Sequence, residues 1–414
     1  MHILFVTHYY EPESGAAAVR LTRLAKLLHQ NGHQVTVLTT MPHYPTGIIA
    51  DEYKGKWSTD EMRDGIRVIQ VWIWTSQAKS IGKRLISQLS FMLTSILRGI
   101  TLPKPDVVFI ENQPMFTGFA GRFIADIKRT PYVLNVSDLW PDHLLAVGAL
   151  TETSPIYRIA RRMVDAGYRG AQSVVVLSAG FTSVLVSQHP SRQAKFITQV
   201  NGVDIEKFRP MSTDEIMPFY EKYDIDPQKK WVTFMGTFST PYDFDLMLDV
   251  VAHFKSRDDV GFLYVGTGTQ EALVAERIQQ DKLTNLQRVM WVEHHEMPMA
   301  WNVSAISYWA LHSKMLNEHV IPAKLFELLA CGIPMVATQE SISSDMINDA
   351  GAGITLAPHD LAGTISTIEQ LLADDDLRQS MRDSARAYAI EHLDQYKVAK
   401  VYEDVLQSAM KKHS

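Results

Sequence analysis

Near the N-terminus, "HILFVT" (His2–Thr7), "AAAVRLTRLAKLLHQNG" (Ala16–Gly32) and "HQVTVLTT" (His33–Thr40) follow one another, with a short loop between the first two. The outer pieces are short apolar runs rich in Val, Leu and Thr, the composition of strands buried on both faces. The middle piece repeats its apolar residues at helical spacing and ends at Gly32, a residue suited to a helix C-terminus. Strand, helix and strand in this order predict a parallel β-α-β unit.

The pattern continues through "RVIQVWIW", "DVVFIEN", "YVLNVSD" and "SVVVLS", with helical segments between most of them. It then restarts with "WVTFMGTF", a helix from about Phe244, "VGFLYVGTG", a helix from Gln270, "VMWVEH", "ISYWA", a short helix and "PMVAT". The fold class is therefore α/β, with two doubly wound parallel sheets in series: residues 1–205 and residues 206–393. The join falls near "NGVDIEKFRPM" (Asn201–Met211), which has turn chemistry and a proline. Residues 394–414 form a polar-faced helix with no strand after it, able to pack back on either domain, the first included. Ligands of such sheets bind beyond the carboxyl ends of the strands, so two domains facing each other would enclose a two-substrate cleft.

Composition narrows the classes. Of 414 residues, 46% are apolar and 21% charged, which is globular and not disordered. A net charge of −6 carries no basic footprint and argues against a nucleic-acid partner. The single cysteine, Cys331, lies within an apolar helix and reads as a core thiol in a reducing, cytoplasmic setting. "MHILFVTHYY" reads as a strand, not a secretion signal. The segment Leu85–Leu102 holds Arg, Gln and Ser and is too polar to span a bilayer. With Lys79, Lys83, Arg84 and Lys104 around it, two readings stay open: an amphipathic helix on an anionic inner-membrane surface, or a core helix with solvated ends.

The chemistry-bearing residues fall just after predicted strands. Glu13, Ser14 and Gly15 form a loop that opens a helix, where free N–H groups attract anions. No G-x-G-x-x-G follows, which counts against a dinucleotide dehydrogenase, and Gly266 and Gly268 of "VGTGTQE" lack the third glycine. Asp138 and Asp142 flank Trp140-Pro141; each reads as a base or hydroxyl acceptor, or equally as a turn or cap residue. Asp243-x-Asp245 opens a helix and reads as a cap before it reads as a metal motif. His294 and His295 are adjacent, so their side chains diverge, which fits a rim loop better than a zinc site.

"HVIPAKLFELLACGIPMVAT" (His319–Thr338) is the most informative stretch. Pro322 suits a helix start and Gly332 the residue past its end, which puts Lys324 in the first turn. A cation there opposes the helix dipole. A diphosphate lying across the helix start removes that penalty, and Glu327, on the same face, would then reach sugar hydroxyls. The alternative is a simple i, i+3 Lys–Glu ion pair.

Taken together, the Gly15 loop, "NGHQVTVLTTMPHYPTG", "SDLWPDHLLAVGAL", "NGVDIEKF", "VGTGTQEALV" and "IPAKLFELLACGIPMVAT" resemble the retaining glycosyltransferases of family 4, with the GT-B fold, over nearly the full length. The branch that builds bacterial capsule, O-antigen and exopolysaccharide units is the most similar. The resemblance implies two Rossmann-like domains, an acceptor domain followed by a domain for a nucleoside-diphosphate sugar, usually a UDP-sugar. The acceptor would be a glycan or lipid-linked saccharide, and neither a cofactor nor a metal would be required. It places Lys324 on the diphosphate and Glu327 on the donor ribose. His319, Val320 and Ile321 would run along the donor sugar, with Leu325 beside them. Glu293 and His294 would meet the base, and Gly15 and Gly236 the phosphates. Asp138 would lie by the reacting sugar, with Glu13, Ser14 and Asp142 on the acceptor side.

The chain departs from that family at three points. His319 stands where the first Glu of Glu-x7-Glu belongs, Ala323 replaces a Ser, and "GTFSTPYDFD" lacks the usual Arg or Lys. Either Lys324 carries more of the charge, or Arg20 or another residue of the first domain contributes. Two other functions are compatible with the fold: a UDP-sugar 2-epimerase and a non-catalytic nucleotide-sugar-binding protein.

Overall fold

A computed structural model describes every residue except Ser14, Pro45, residues 78–80, 147–149 and 313–318, and Ser414. The chain divides into two compact units, Met1–Val200 with Tyr396–Ser414, and Asn201–Gln395. The join thus lies five residues before the expected 205/206 boundary.

The first unit is built on eight strands: β1 (His2–Val6), β2 (Gln34–Thr40), β3 (Ser58–Arg63), β4 (Ile66–Val71), β5 (Val107–Glu111), β6 (Tyr132–Val136), β7 (Ser173–Val176) and β8 (Phe196–Thr198). Their order is β3-β4-β2-β1-β5-β6-β7-β8, and only β3, against β4, is antiparallel. The helices are α1 (Ala16–Gln30), α2 (Ile81–Thr101), α3 (Met115–Lys128), α4 (Asp142–Ala146), α5 (Pro155–Gly170) and α6 (Ala179–Gln188). Strand alternation sorts the core into two layers. Ile3 and Phe5 of β1 join Leu21 and Leu28 of α1 on one face, while Leu4 and Val6 join Phe91 of α2, Ile124 of α3 and Tyr168 of α5 on the other.

The second unit carries β9 (Lys230–Met235), β10 (Val260–Val265), β11 (Leu286–Val289), β12 (Ser304–Ala310), β13 (Met335–Thr338) and β14 (Gly353–Leu356). All pairings are parallel, in the order β11-β10-β9-β12-β13-β14. Its helices are α7 (Thr213–Lys222), α8 (Phe244–His253), α9 (Glu271–Gln280), α10 (Met297–Asn302), α11 (Ala323–Cys331), α12 (Ile342–Asp349), α13 (Leu361–Ala373) and α14 (Asp375–Tyr388). The chain then returns to the first unit through α15 (Gln395–His413), whose Val398, Tyr402 and Leu406 close the α1 face of that sheet.

The glycines of "VGTG" serve packing. Gly266 has φ +132, and a Cβ there would stand 2.1 Å from the carbonyl oxygen of Gly236. A Cβ on Gly268 would stand 2.3 Å from that of Phe238. The absent side chains let the loops after β9 and β10 lie against each other.

Candidate active site

Each sheet reverses its strand order once, between β1 and β5 in the first unit and between β9 and β12 in the second. The crevice outside the carboxyl ends at such a switch point is where open α/β sheets bind ligands.

In the second unit, α11 opens at that point. Pro322 is its N-cap and offers no capping side chain, Lys324 follows in the first turn, and Gly332 closes the helix with φ 67. The ammonium of Lys324 sits among three rings: 4.6 Å from the centroid of Phe234 on β9, 4.9 Å from Tyr242 and 4.6 Å from Trp309 on β12. Among the described residues no carboxylate pairs with it. Burial pushes its pKa down to about 7, although the aromatic faces return part of the cost of desolvating the cation. The residue as a whole is half-buried.

The i, i+3 ion pair allowed by the spacing does not form. Glu327 turns to Trp301 of α10, whose indole Nε1 donates to its Oε2 at 2.8 Å. Next to the cage, Tyr242, Trp309, Val320, Pro322, Gln339 and Ser343 line a cavity of about 80 Å³. Gln339 is 4% exposed; its Oε1 accepts from Trp309 Nε1 at 2.9 Å, while its Nε2 is buried with no partner among the described residues. Val320 is exposed, and its carbonyl accepts from the Ser343 hydroxyl at 3.3 Å. His319 and Ile321 are half-buried.

Other expected donor contacts are placed less simply. Leu325, expected beside the donor, has its side chain fully buried in the core, and its amide donates to the Pro322 carbonyl at 3.0 Å. Glu293 and His294 are exposed on the loop after β11, where the Lys207 ammonium donates to the His294 carbonyl at 3.4 Å. Gly236 follows β9 directly, its amide donating to Val265. Asp243 is the N-cap of α8, as its position suggested, and Oδ1 accepts from the Leu246 amide at 3.0 Å. Cys331 is a buried free thiol.

In the first unit, Gly15 caps α1 in an extended conformation and offers no capping side chain of its own. A Cβ there would meet only the Tyr44 ring, at 3.5 Å. Glu13 is buried; its Oε1 accepts from the amides of His43 and Tyr44, each at 3.0 Å, and Oε2 has no partner among the described residues. Ser14 lies outside the described residues. Asp138 is half-buried beyond β6, and its carbonyl accepts from the Trp140 amide.

Asp142, expected on the acceptor side, is held by other side chains of its own unit. Both of its carboxylate oxygens accept from Arg161 Nη1, at 2.9 and 3.0 Å, and they also take the Tyr157 hydroxyl at 2.9 Å and the Gln188 amide at 3.0 Å. It ties α4 to α5 and α6. Arg20 is committed too. It donates to Glu111 at 2.9 Å and to the Ser137 hydroxyl at 2.7 Å. Glu111, fully buried at the end of β5, also accepts from Asn135 and Ser137. Nothing in the spacing of these residues singled out Glu111, Gln339 or the three cage rings.

Two Rossmann-like sheets thus stand in series, and the second switch point presents an ammonium at a helix start with no carboxylate pairing it among the described residues. "Glycosyl transferase 4-like domain" matches residues 15–196, and "Glycosyl transferases group 1" matches residues 218–388. The chain belongs to the family 4-type glycosyltransferases with the GT-B fold, which move a glycosyl unit from a nucleotide sugar. WcaI of Escherichia coli (strain K12), which bears the name colanic acid biosynthesis glycosyl transferase, is 20% identical over 97% of this chain and 98% of its own. Among solved structures, sucrose-phosphate synthase from Thermosynechococcus elongatus superposes with a TM-score of 0.75 at 13% identity, covering 99% of both chains. Anabaena HepE, solved with UDP-glucose, gives 0.71 at 16% identity over 99% of this chain and 100% of its own.

Proposed function

We propose that this chain is a retaining, metal-independent transferase that moves a hexosyl unit from a UDP-sugar to a glycan or lipid-linked saccharide in polysaccharide biosynthesis. The observation that carries this reading is the Lys324 ammonium, held by three rings at the open start of α11 with no carboxylate pairing it among the described residues. Breaking the bond between the anomeric carbon and the diphosphate leaves negative charge on UDP. A fixed ammonium and free amides aimed at that charge stabilise the transition state. The acceptor oxygen then bonds to the anomeric carbon on the face the diphosphate leaves, and the acceptor proton passes to the departing phosphate. No protein nucleophile is assigned. Glu327, oriented by Trp301, takes the ribose hydroxyls; His319, Val320 and Ile321 follow the sugar; Glu293 and His294 meet the base. Gly15 and Gly236 leave room for the phosphates, and Asp138 and Glu13 serve the acceptor.

The lowered pKa of Lys324 supplies a test. A bound diphosphate raises it again, so binding takes up a proton above about pH 7. UDP affinity is therefore flat below that pH and falls above it, by up to tenfold per unit. Calorimetry from pH 6.5 to 9 should show this fall in the wild type and a flat profile in Lys324→Arg, whose guanidinium stays charged. UDP that does not bind at all would overturn the reading, whereas UDP-GlcNAc converted to an isomer without acceptor would favour the epimerase.

The same reading places the chain in the cytoplasm, against the inner face of the plasma membrane. No helix among the described residues is long and apolar enough to cross a bilayer. Helices α2, α3 and α5 cover one face of the first sheet and leave apolar residues in water: Ile86, Leu93 and Leu97 on α2, Ile127 on α3, Ile156 and Ile159 on α5. Lys83, Arg84, Arg158 and Arg162 stand exposed on α2 and α5. Apolar and basic residues on one layer suit an anionic lipid surface. Flotation with vesicles containing phosphatidylglycerol should recover the protein, and Leu93→Glu/Leu97→Glu should stay at the bottom; recovery of both alike would remove this surface from the account.

A further inference from the structure

At the carboxyl end of β12, and outside the roles assigned above, three metal-ligating side chains converge. They are Asp243 at the start of α8, His312 just past β12, and His359 between β14 and α13. Asp243 Oδ2 lies 2.8 Å from Nδ1 of His359 and 3.4 Å from Nδ1 of His312, and one ligand atom from each of the three lies within 4.8 Å of the others. We propose that these residues bind a divalent transition metal of the zinc type, independently of the transfer step.

Three observations support it. The spacing comes first: tetrahedral bonds of about 2.0–2.1 Å put neighbouring ligand atoms roughly 3.3 Å apart; the Asp243–His312 distance of 3.4 Å matches this, and the Asp243–His359 contact of 2.8 Å is a hydrogen bond that an entering ion would replace. The carboxylate comes second. Its side chain is 5% exposed; among the described residues no lysine or arginine pairs with it, Oδ1 serves the Leu246 amide and Oδ2 meets the two imidazoles. A bound cation would stabilise a buried anion in that setting. Accessibility comes third: the imidazoles are 45% and 60% exposed, so an ion can enter from solvent and keep an open position for water. Two imidazoles and one carboxylate favour zinc, nickel, cobalt or copper over magnesium or calcium, which prefer oxygen. Asp243, His312 and His359 belong to three separate segments at the second switch point, so an ion there would cross-link them. Tyr242, one of the Lys324 cage rings, directly precedes Asp243.

The experiment is Zn²⁺ titration of the full, tag-free chain against a chromophoric chelator, alongside Co²⁺ absorption spectra. One Zn²⁺ per chain should bind, with intense tetrahedral Co²⁺ bands, weakening as pH falls because the ligands must be deprotonated. His312→Asn and His359→Asn alter exposed residues and should fold normally, as melting without metal checks; each should lose at least about tenfold in affinity. Wild-type melting should rise with Zn²⁺, and that of the variants should not. Zn²⁺ bound equally by wild type and both variants, or not bound by the wild type, overturns the site. So does Mg²⁺ binding as tightly as Zn²⁺.

Discussion

Lys324→Met should fold normally and lower kcat by about 10² to 10³, the effect of removing one fixed group that stabilises developing anionic charge. Methionine keeps the length of the stem and packs well on aromatic rings, so the cage of Phe234, Tyr242 and Trp309 stays filled. Stability should move the other way. The lysine pKa falls from 10.5 in the unfolded chain to about 7 in the fold, so the charged form is disfavoured by folding. That penalty is full below pH 7 and disappears as pH rises from about 7 towards 10.5. The variant should therefore melt higher than wild type at neutral pH and match it near pH 10. Steady-state UDP release and thermal melts on one sample read both effects. Turnover near the wild-type value would take Lys324 out of the mechanism.

Arg20→Met should lower the stability of the first unit by about 3–5 kcal/mol, because it leaves a buried carboxylate uncompensated. Glu111 is fully buried, and among the described residues Arg20 is the one cation that pairs with it, at 2.9 Å. The remaining donors, Asn135 and Ser137, are neutral. Asn135 in turn accepts from the Tyr402 hydroxyl of α15 at 2.7 Å, so the damage should extend to the C-terminal helix. Glu111→Gln in the same chain should restore much of the loss, since the pair is then removed together. Urea melts with hydrogen exchange at α15 would follow it; a single variant as stable as wild type would show that Arg20 is not what compensates Glu111. Retained UDP binding in the double variant would separate Arg20 from the phosphate role once open to it.

How much could be read before the structure depended on how local each signal was. The buried parallel strands announced themselves as apolar runs because both faces are covered. β3 did not: Asp60, Glu61 and Arg63 stand on an edge strand that pairs only with β4, held in part by the Asp60–Arg67 ion pair at 2.7 Å. β14, "GITL", is half-buried throughout and equally quiet. Asp138 and Asp142 looked alike on either side of Trp140-Pro141. Only the Arg161 guanidinium, 19 residues further on, shows Asp142 held by other side chains of its own unit. Leu325 shared a helix turn with Lys324, yet its side chain faces the core.

The sequence by itself determined the alternation of strand and helix, the two parallel sheets and the placing of Lys324 at a helix start. Those follow from side-chain periodicity and from Pro322 and Gly332, whose effects reach only one turn. The tertiary structure decided what surrounds that lysine. Whether it pairs with Glu327 or loses its water among Phe234, Tyr242 and Trp309 depends on residues brought together by the sheet at its switch point. Desolvation is a property of the whole neighbourhood in space, and no spacing along the chain encodes it.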